Sequence, residues 1–321
     1  MRPAPFHSGE EALQLEAGVR DKMAAVGPRV IRDRMLPQHI ELFEKLPTLF
    51  VGVLDAQGQP WASMVHGVPG FIEALGDHSL RITGKPLFGA PRFGLQPGSA
   101  VGLLGLEPHT RRRNRANGAI EQLLTDTWVV RIHQSFGNCP KYIHAREIVG
   151  RPERAPSKPR REGTKLSLKA RQLIEASDTF FIASASGGQL AEQELGESAG
   201  AGVDISHRGG PVGFVRVVQG TSEDLLLVPD YPGNLMFNTL GNLLVWPRAG
   251  LLFVDWQTGD LLQLAASATL REATDAWSSL DAQRQLELRI SEGWFHPAAI
   301  PLNWSPPKAP PQFSSQPSRE R

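Results

Sequence analysis

The chain has 321 residues, with 34 Lys and Arg against 33 Asp and Glu, a net charge of +1 and 40% hydrophobic residues. This balance excludes a highly charged tail protein and a disordered chain, and it fits about two globular domains. Thirty-two glycines and 26 prolines favour short strands and frequent turns over long helices, so a mainly β protein with flanking helices is expected.

Cys139 is the only cysteine, which rules out an intrachain disulfide and a zinc site built on two or more thiolates. The opening MRPAPFHSGEEALQLEAGVRD lacks the apolar core of a signal peptide. No later stretch approaches the roughly 18 apolar residues that span a bilayer. The expectation is a soluble, cytoplasmic protein in a reducing compartment.

Residues 1–47 read as an N-terminal helical segment: Leu13, Ala17, Ile40, Phe43 and Leu46 recur at spacings of three or four, with a break expected at Gly27-Pro28. From Thr48 the pattern becomes LFVGVL, DAQGQ, PWASMV, two apolar runs about a glycine-containing turn, which predicts a β-hairpin opening a first domain over 48–150. The basic, proline-rich stretch 151–165 reads as a linker. Helical spacing of Leu166, Ala170, Leu173 and Ile174 then leads into a second domain over 166–304. The Pro- and Ser-rich tail 305–321 has too little apolar surface to offset its ordering entropy and is expected to be disordered.

The two domains are copies. TLFVGVLDAQGQPWASMVHGVPGF from Thr48 aligns with TFFIASASGG…GVDISHRGGPVGF from Thr179, and VGLLGLEPHT aligns with AGLLFVDWQT. The offset is 143 from Ser63/Ser206 to Phe71/Phe214, 146 at Pro86/Pro232 and 148 up to Thr110/Thr258.

The second copy carries polar residues where core strands should be apolar. VDISHRGGPVGFVRV holds His207 and Arg208, and VPDYPGNLMFNTLGNLL holds Asn234, Asn238, Thr239 and Asn242. Arginine and glycine N–H groups suit a phosphate, and Asn amides suit a heterocycle edge. The same residues read equally well as turn caps and a solvated charge. The first copy lacks the Asn-rich segment but has TRRRNRANG, where alternate residues of a strand, Arg111, Arg113 and Arg115, would face one side. That run is also compatible with an exposed turn, and without interleaved aromatics it points away from nucleic acid. HQSFGNCPKYIHAR, residues 133–146, gathers Gln134, Ser135, Asn138, Lys141 and Tyr142 around Gly137 and Pro140. No metal-ligand spacing, P-loop or nucleophile elbow is legible.

Taken together, LFVGVLDAQGQPWAS, QSFGNCPKYIHAR, GVDISHRGGPVGFVRV and DYPGNLMFNTLGNLLVWPRAGLLFVDWQTGDLLQL resemble the flavin-nucleotide-binding branch of the pyridoxamine 5′-phosphate oxidase-related family, over residues 10–300. The resemblance implies a split β-barrel in each copy and FMN in a cleft between paired barrels. Here the duplication implies an intrachain pseudo-dimer, with room left for a homodimer. His207 and Arg208 would then help hold the phosphate, assisted by Arg113. Asn234, Asn238, Thr239 and Asn242 would line the ribityl chain and pyrimidine edge, and the 133–142 loop with Gln134, Ser135 and Lys141 would cover the flavin. The implied function is an FMN-dependent oxidoreductase acting on a small-molecule substrate or electron donor, with no catalytic residue identified. The Ser-Arg-Lys string that holds the phosphate in pyridoxamine phosphate oxidases has no match near Phe237-Asn238-Thr239. Haem or a deazaflavin on the same fold, or a cofactor-free module that docks a partner through 111–115 and 151–171, remain the alternatives. Only the second copy keeps the Asn-rich segment, which implies one occupied site per chain.

Overall fold

The computed structural model describes residues 5–84, 95–151, 154–187, 202–273 and 282–313. Apolar runs such as LFVGVL and TFFIASA become strands buried on both faces, because each sits between a barrel interior and a second barrel. In β1 (Thr48–Leu54), Leu49, Val51 and Val53 enter the first barrel's core while Phe50 faces the other copy. In β10 (Thr179–Ala185), Phe180 and Ile182 point into the second core and Phe181 and Ala183 face the first copy. The odd-even alternation of a strand thus serves two cores at once.

Each copy forms one antiparallel sheet with the same strand order. The first runs β2-β1-β5-β6-β7-β4-β3, built from β2 (Pro60–His66), β3 (Ile72–Ala74), β4 (Ser79–Thr83), β5 (Ala100–Glu107), β6 (Arg112–Leu123) and β7 (Thr127–Gly137) around β1. The second runs β11-β10-β14-β15-β16-β13-β12, built from β11 (Val203–Gly209), β12 (Arg216–Gln219), β13 (Asp224–Asp230), β14 (Arg248–Val254), β15 (Leu261–Glu272) and β16 (Arg284–His296) around β10. The registers agree residue by residue: Phe50 pairs with Leu104 as Phe181 pairs with Leu252. A bulge falls at Asn117/Gly118 in one copy and at Ala265/Ala266 in the other, at the same offset of 148. The molecule is therefore a tandem duplicated split β-barrel, packed as a pseudo-dimer within one chain.

Equivalent residues meet across the pseudo-twofold. Phe50 and Phe181 stack with ring centroids 3.6 Å apart. A Cβ on Gly102 would lie 2.9 Å from the Asp204 Cα, and one on its counterpart Gly250 would lie 2.5 Å from the Trp61 Cα. Both glycines have ordinary φ, so close approach of the two sheets is what excludes a side chain there.

Three helices precede β1: α1 (Ser8–Glu16), α2 (Arg20–Val30) and α3 (Pro37–Lys45). The chain turns at Gly18, φ +66°, and the helix runs through Pro28, the position where a break was expected. Pro28 lies two residues from the end of α2, where only one helical hydrogen bond is forfeited. β8 (Ile148–Gly150) ends the first domain's span, the stretch read as a linker supplies β9 (Arg160–Glu162), and β9 joins the second sheet on β16. It is followed by α4 (Leu168–Ala176), and α5 (Asn238–Val245) lies between β13 and β14. The last strand, β17 (Asn303–Trp304), pairs with β8.

Of the tail expected to be disordered, residues 305–313 pack on the molecule. Ala145 and Lys308 exchange backbone hydrogen bonds at 2.9 Å, and Phe313 lies against Tyr142 and Tyr231. Composition missed this because a few docked apolar groups and a backbone bridge suffice to order a short segment. Residues 314–321 lie outside the described residues, as does most of PLFGAPRFGL. Among the described residues no helix is long and apolar enough to cross a membrane.

Candidate functional site

A cleft opens where β6 and the loop after β7 of the first copy meet β11, the 229–237 turn and the N-terminus of α5 of the second. Strand alternation aims Arg113 and Arg115 into it from β6, with Asn114 on the opposite face. Arg111 does not join them. It sits in left-handed backbone at the turn before β6 and donates to the carbonyls of Ile143, Lys308 and Ala309.

Of the residues singled out from sequence, Arg113, Lys141, His207, Arg208, Asn234, Asn238 and Thr239 all line this one cleft. The other three do not. Asn242 Oδ1 accepts from His7 Nε2 at 2.8 Å and its Nδ2 donates to Ser184 Oγ at 3.0 Å, so it ties α1 and α5 to β10. Ser135 is buried against His39 Nδ1 at 2.9 Å and bridges to the Arg32 backbone. Gln134 lies beside Asn117 in the β6–β7 ladder. A loop-like string gave no signal that its first half is strand.

The charge in the cleft is unbalanced. Arg115 donates to Asp204 at 2.7 Å and Arg208 to Asp230 at 2.6 Å. Arg113 donates to the Cys139 carbonyl at 2.8 Å and forms no ion pair among the described residues. Burial, reinforced by Arg115 and Arg208 nearby, pulls the Arg113 pKa down to about 9. Burial likewise lowers the pKa of Arg115, against the pull of Asp204. The imidazole of His207 is held well below its usual range by burial, with Arg113 adding to the effect, and is neutral at pH 7.

Several buried polar atoms of residues around the cleft have no partner among the described residues: Arg113 Nε, Arg115 Nε, Asn138 Oδ1, His207 Nδ1 and Tyr231 Oη. An unmade hydrogen bond at a buried group costs about 1–3 kcal/mol, more for a charged one. A cluster of them facing one space suits a polar ligand. The backbone is strained at the same place. Tyr142, Leu235 and Phe237 all adopt φ between 60° and 66° and all line the cleft. Among the described residues no side chain caps α5, and its first three residues line the cleft.

At the pseudo-equivalent positions the three arginines and the imidazole are replaced by uncharged side chains. At an offset of 148, Arg113 and Arg115 correspond to Leu261 and Gln263, and at 143 His207 and Arg208 correspond to Met64 and Val65. All four are buried, and Gln263 is spent on the Ala62 carbonyl at 2.7 Å and on His296 at 2.8 Å.

Asp204, Ser206 and Tyr231 were not singled out by the sequence. Ser206 aligns with Ser63, so its recurrence in both copies was the available signal. Asp204 replaces Trp61, a charge in a position that is apolar in the other copy.

No family model matches the chain, and no curated protein matches it. Solved structures are similar to parts of it. An FAD-binding protein from Mesorhizobium loti is 12% identical over 44% of this chain and 99% of its own, with a TM-score of 0.27. The heme storage protein HutZ from Vibrio cholerae is 13% identical over 40% of this chain and 91% of its own, TM-score 0.25. A Lactobacillus delbrueckii protein whose name proposes a pyridoxamine 5′-phosphate oxidase is 18% identical over 33% and 95%, TM-score 0.26. The split-barrel assignment itself rests on the strand order and register above.

Proposed function

We propose that the chain binds one FMN in this cleft and is an FMN-dependent oxidoreductase. The observation that carries this reading is the half-buried guanidinium of Arg113, without an acid partner among the described residues, beside Arg115 and Arg208. These three and Lys141 give four formal positive charges against Asp204 and Asp230, an excess of about two that a phosphate monoester dianion balances. The unpartnered N–H groups and the open start of α5 fit the phosphate. Asn234, Asn138 and Thr239 offer both donors and acceptors for a ribityl chain or ring edge. Tyr142, Tyr231 and Phe237 supply apolar faces.

A bound flavin would supply the hydride and electron chemistry. The protein's own groups would bind and orient it: the arginines fix the anionic end, and neutral His207 offers Nδ1 to a ligand atom without adding charge. Some basic residues of the segments that would serve a partner-docking module have partners within the chain, though their side chains stay partly exposed. Arg112 donates to the Gln38 carbonyl, Lys165 pairs with Asp224, and Lys169 with Asp260.

The test is the visible spectrum of the purified protein, followed by heat release of any chromophore and titration with FMN. An oxidised-flavin spectrum with FMN released supports the reading. A Soret band or a deazaflavin spectrum assigns the cleft to another planar cofactor. Colourless protein that takes up no FMN overturns it.

A further inference from the structure

A buried carboxyl from the N-terminal helix reaches the cleft through one side chain. Glu10 of α1 is 2% exposed, its Oε2 accepting the His7 backbone N–H at 2.9 Å and its Oε1 accepting from Asn238 Nδ2. Held this way round, Asn238 turns Oδ1 to Arg115 Nη1 at 3.1 Å. The same Nη1 donates to Asp204, and Nη2 donates to Ser206 Oγ, which lies 2.7 Å from Thr239 Oγ1. The Nε–H of Arg115, a residue that lines the cleft, is buried without a partner among the described residues.

An amide is two-faced. If Asn238 rotated by half a turn, its NH₂ would face the guanidinium, and donor would meet donor. An acceptor at Glu10 prevents that rotation. Close packing holds the helix there: a Cβ on Gly241 of α5 would lie 2.6 Å from the Glu10 nitrogen, and one on Gly9 would lie 2.2 Å from the Gly241 oxygen.

We propose that Glu10 is a positioning residue for the ligand's anionic group, acting through Asn238 to hold Arg115 with its Nε–H turned to the cleft. This rests on the reading of the cleft as an FMN site. The charged and titratable groups that face Glu10 are His7 on α1, Asp204 on β11 and Arg115 on β6, with Glu11 acting on His7. Burial raises the Glu10 pKa to about 8 and lowers that of His7, so both are neutral at pH 7. Above pH 8 the Glu10 carboxylate competes with the ligand's anion for Arg115.

The experiment measures FMN affinity by quenching of flavin fluorescence between pH 6.5 and 9, for the unaltered protein, Glu10→Ala, Glu10→Gln and Arg115→Met. Glu10→Ala is expected to bind about tenfold more weakly at pH 7, the loss of about one net hydrogen bond. Glu10→Gln keeps the acceptor and should match the unaltered protein at pH 7 while lacking its loss of affinity near pH 8. Arg113 titrates near pH 9, so the Glu10 effect is the difference between those two curves. A Glu10→Gln curve with the same step, or Glu10→Ala within twofold of the unaltered protein while Arg115→Met loses affinity, overturns the proposal alone. Absence of FMN binding, or binding that Arg115→Met leaves unchanged, overturns the cleft reading and this proposal with it.

Discussion

On the FMN reading Arg113 trades stability of the free protein for affinity, because a half-buried guanidinium without an acid partner among the described residues is poorly compensated until an anion arrives. Arg113→Met should therefore stabilise the FMN-free protein by on the order of 1 kcal/mol and raise its melting temperature. The same substitution should weaken FMN binding about 10- to 100-fold, the worth of a charge-assisted hydrogen bond. Thermal melts with and without FMN check both halves; a parallel fall in stability and affinity would assign Arg113 a purely structural role. Glu10 gives a second prediction. Its folded pKa of about 8 lies above the ordinary 4.5, so its favourable contribution is complete below pH 4.5 and is lost as pH rises towards 8. Urea denaturation of the free protein should show stability falling across that window, and Glu10→Gln should remove this component of the slope.

At the scale of elements, the two sheets approach closely where the backbone of one meets a glycine of the other. Gly102→Val places a branched side chain against Asp204 Cα and the Val203 carbonyl, neither of which can rotate away. Overpacking of this kind costs about 1–3 kcal/mol or more, and chemical denaturation should register it. Since Asp204 orients Arg115, FMN affinity should fall with it. A Val at Gly18, where no atom lies within 4 Å, should cost only the local strain of φ +66° and leave binding alone. Much of this element structure was legible beforehand. The duplication, the hairpins and the helical entry follow from periodicity and self-alignment, whereas the assignment of polar residues to one cleft came from the family resemblance, the pattern alone leaving turn caps and a solvated charge equally open. The docking of residues 305–313 and the passage of α2 through Pro28 were not legible, because each depends on neighbours distant in sequence.

For the whole molecule, a cleft between two identical copies would recur twice, yet the cationic and imidazole side chains of this one are not repeated. Arg113, Arg115, His207 and Arg208 are matched by Leu261, Gln263, Met64 and Val65, all buried, with Met64 and Leu261 in the core between the barrels. FMN titration should end at one per chain, and the endpoint and affinity should be unchanged on dilution of the protein, since both walls of the cleft belong to one polypeptide. An endpoint of two per chain, or affinity that rises with protein concentration, would show that a second cleft or a second chain completes the site.

The sequence by itself determined the class of fold, the repeat and the inventory of polar groups, because strand alternation, turn chemistry and internal similarity are local properties that survive without coordinates. Tertiary structure decided which of those groups meet. Asn242 and Ser135 look like neighbours of Asn238 and Lys141 along the chain but serve as struts elsewhere. Glu10 reaches Asn238 across 228 positions through the packing of α1 on α5. Hydrogen bonds and desolvation act over a few ångströms of space, so the pairing of Arg113, Arg115 and Arg208 with their partners, and the absence of an acid for the first of them, exist only once the barrels have closed on each other.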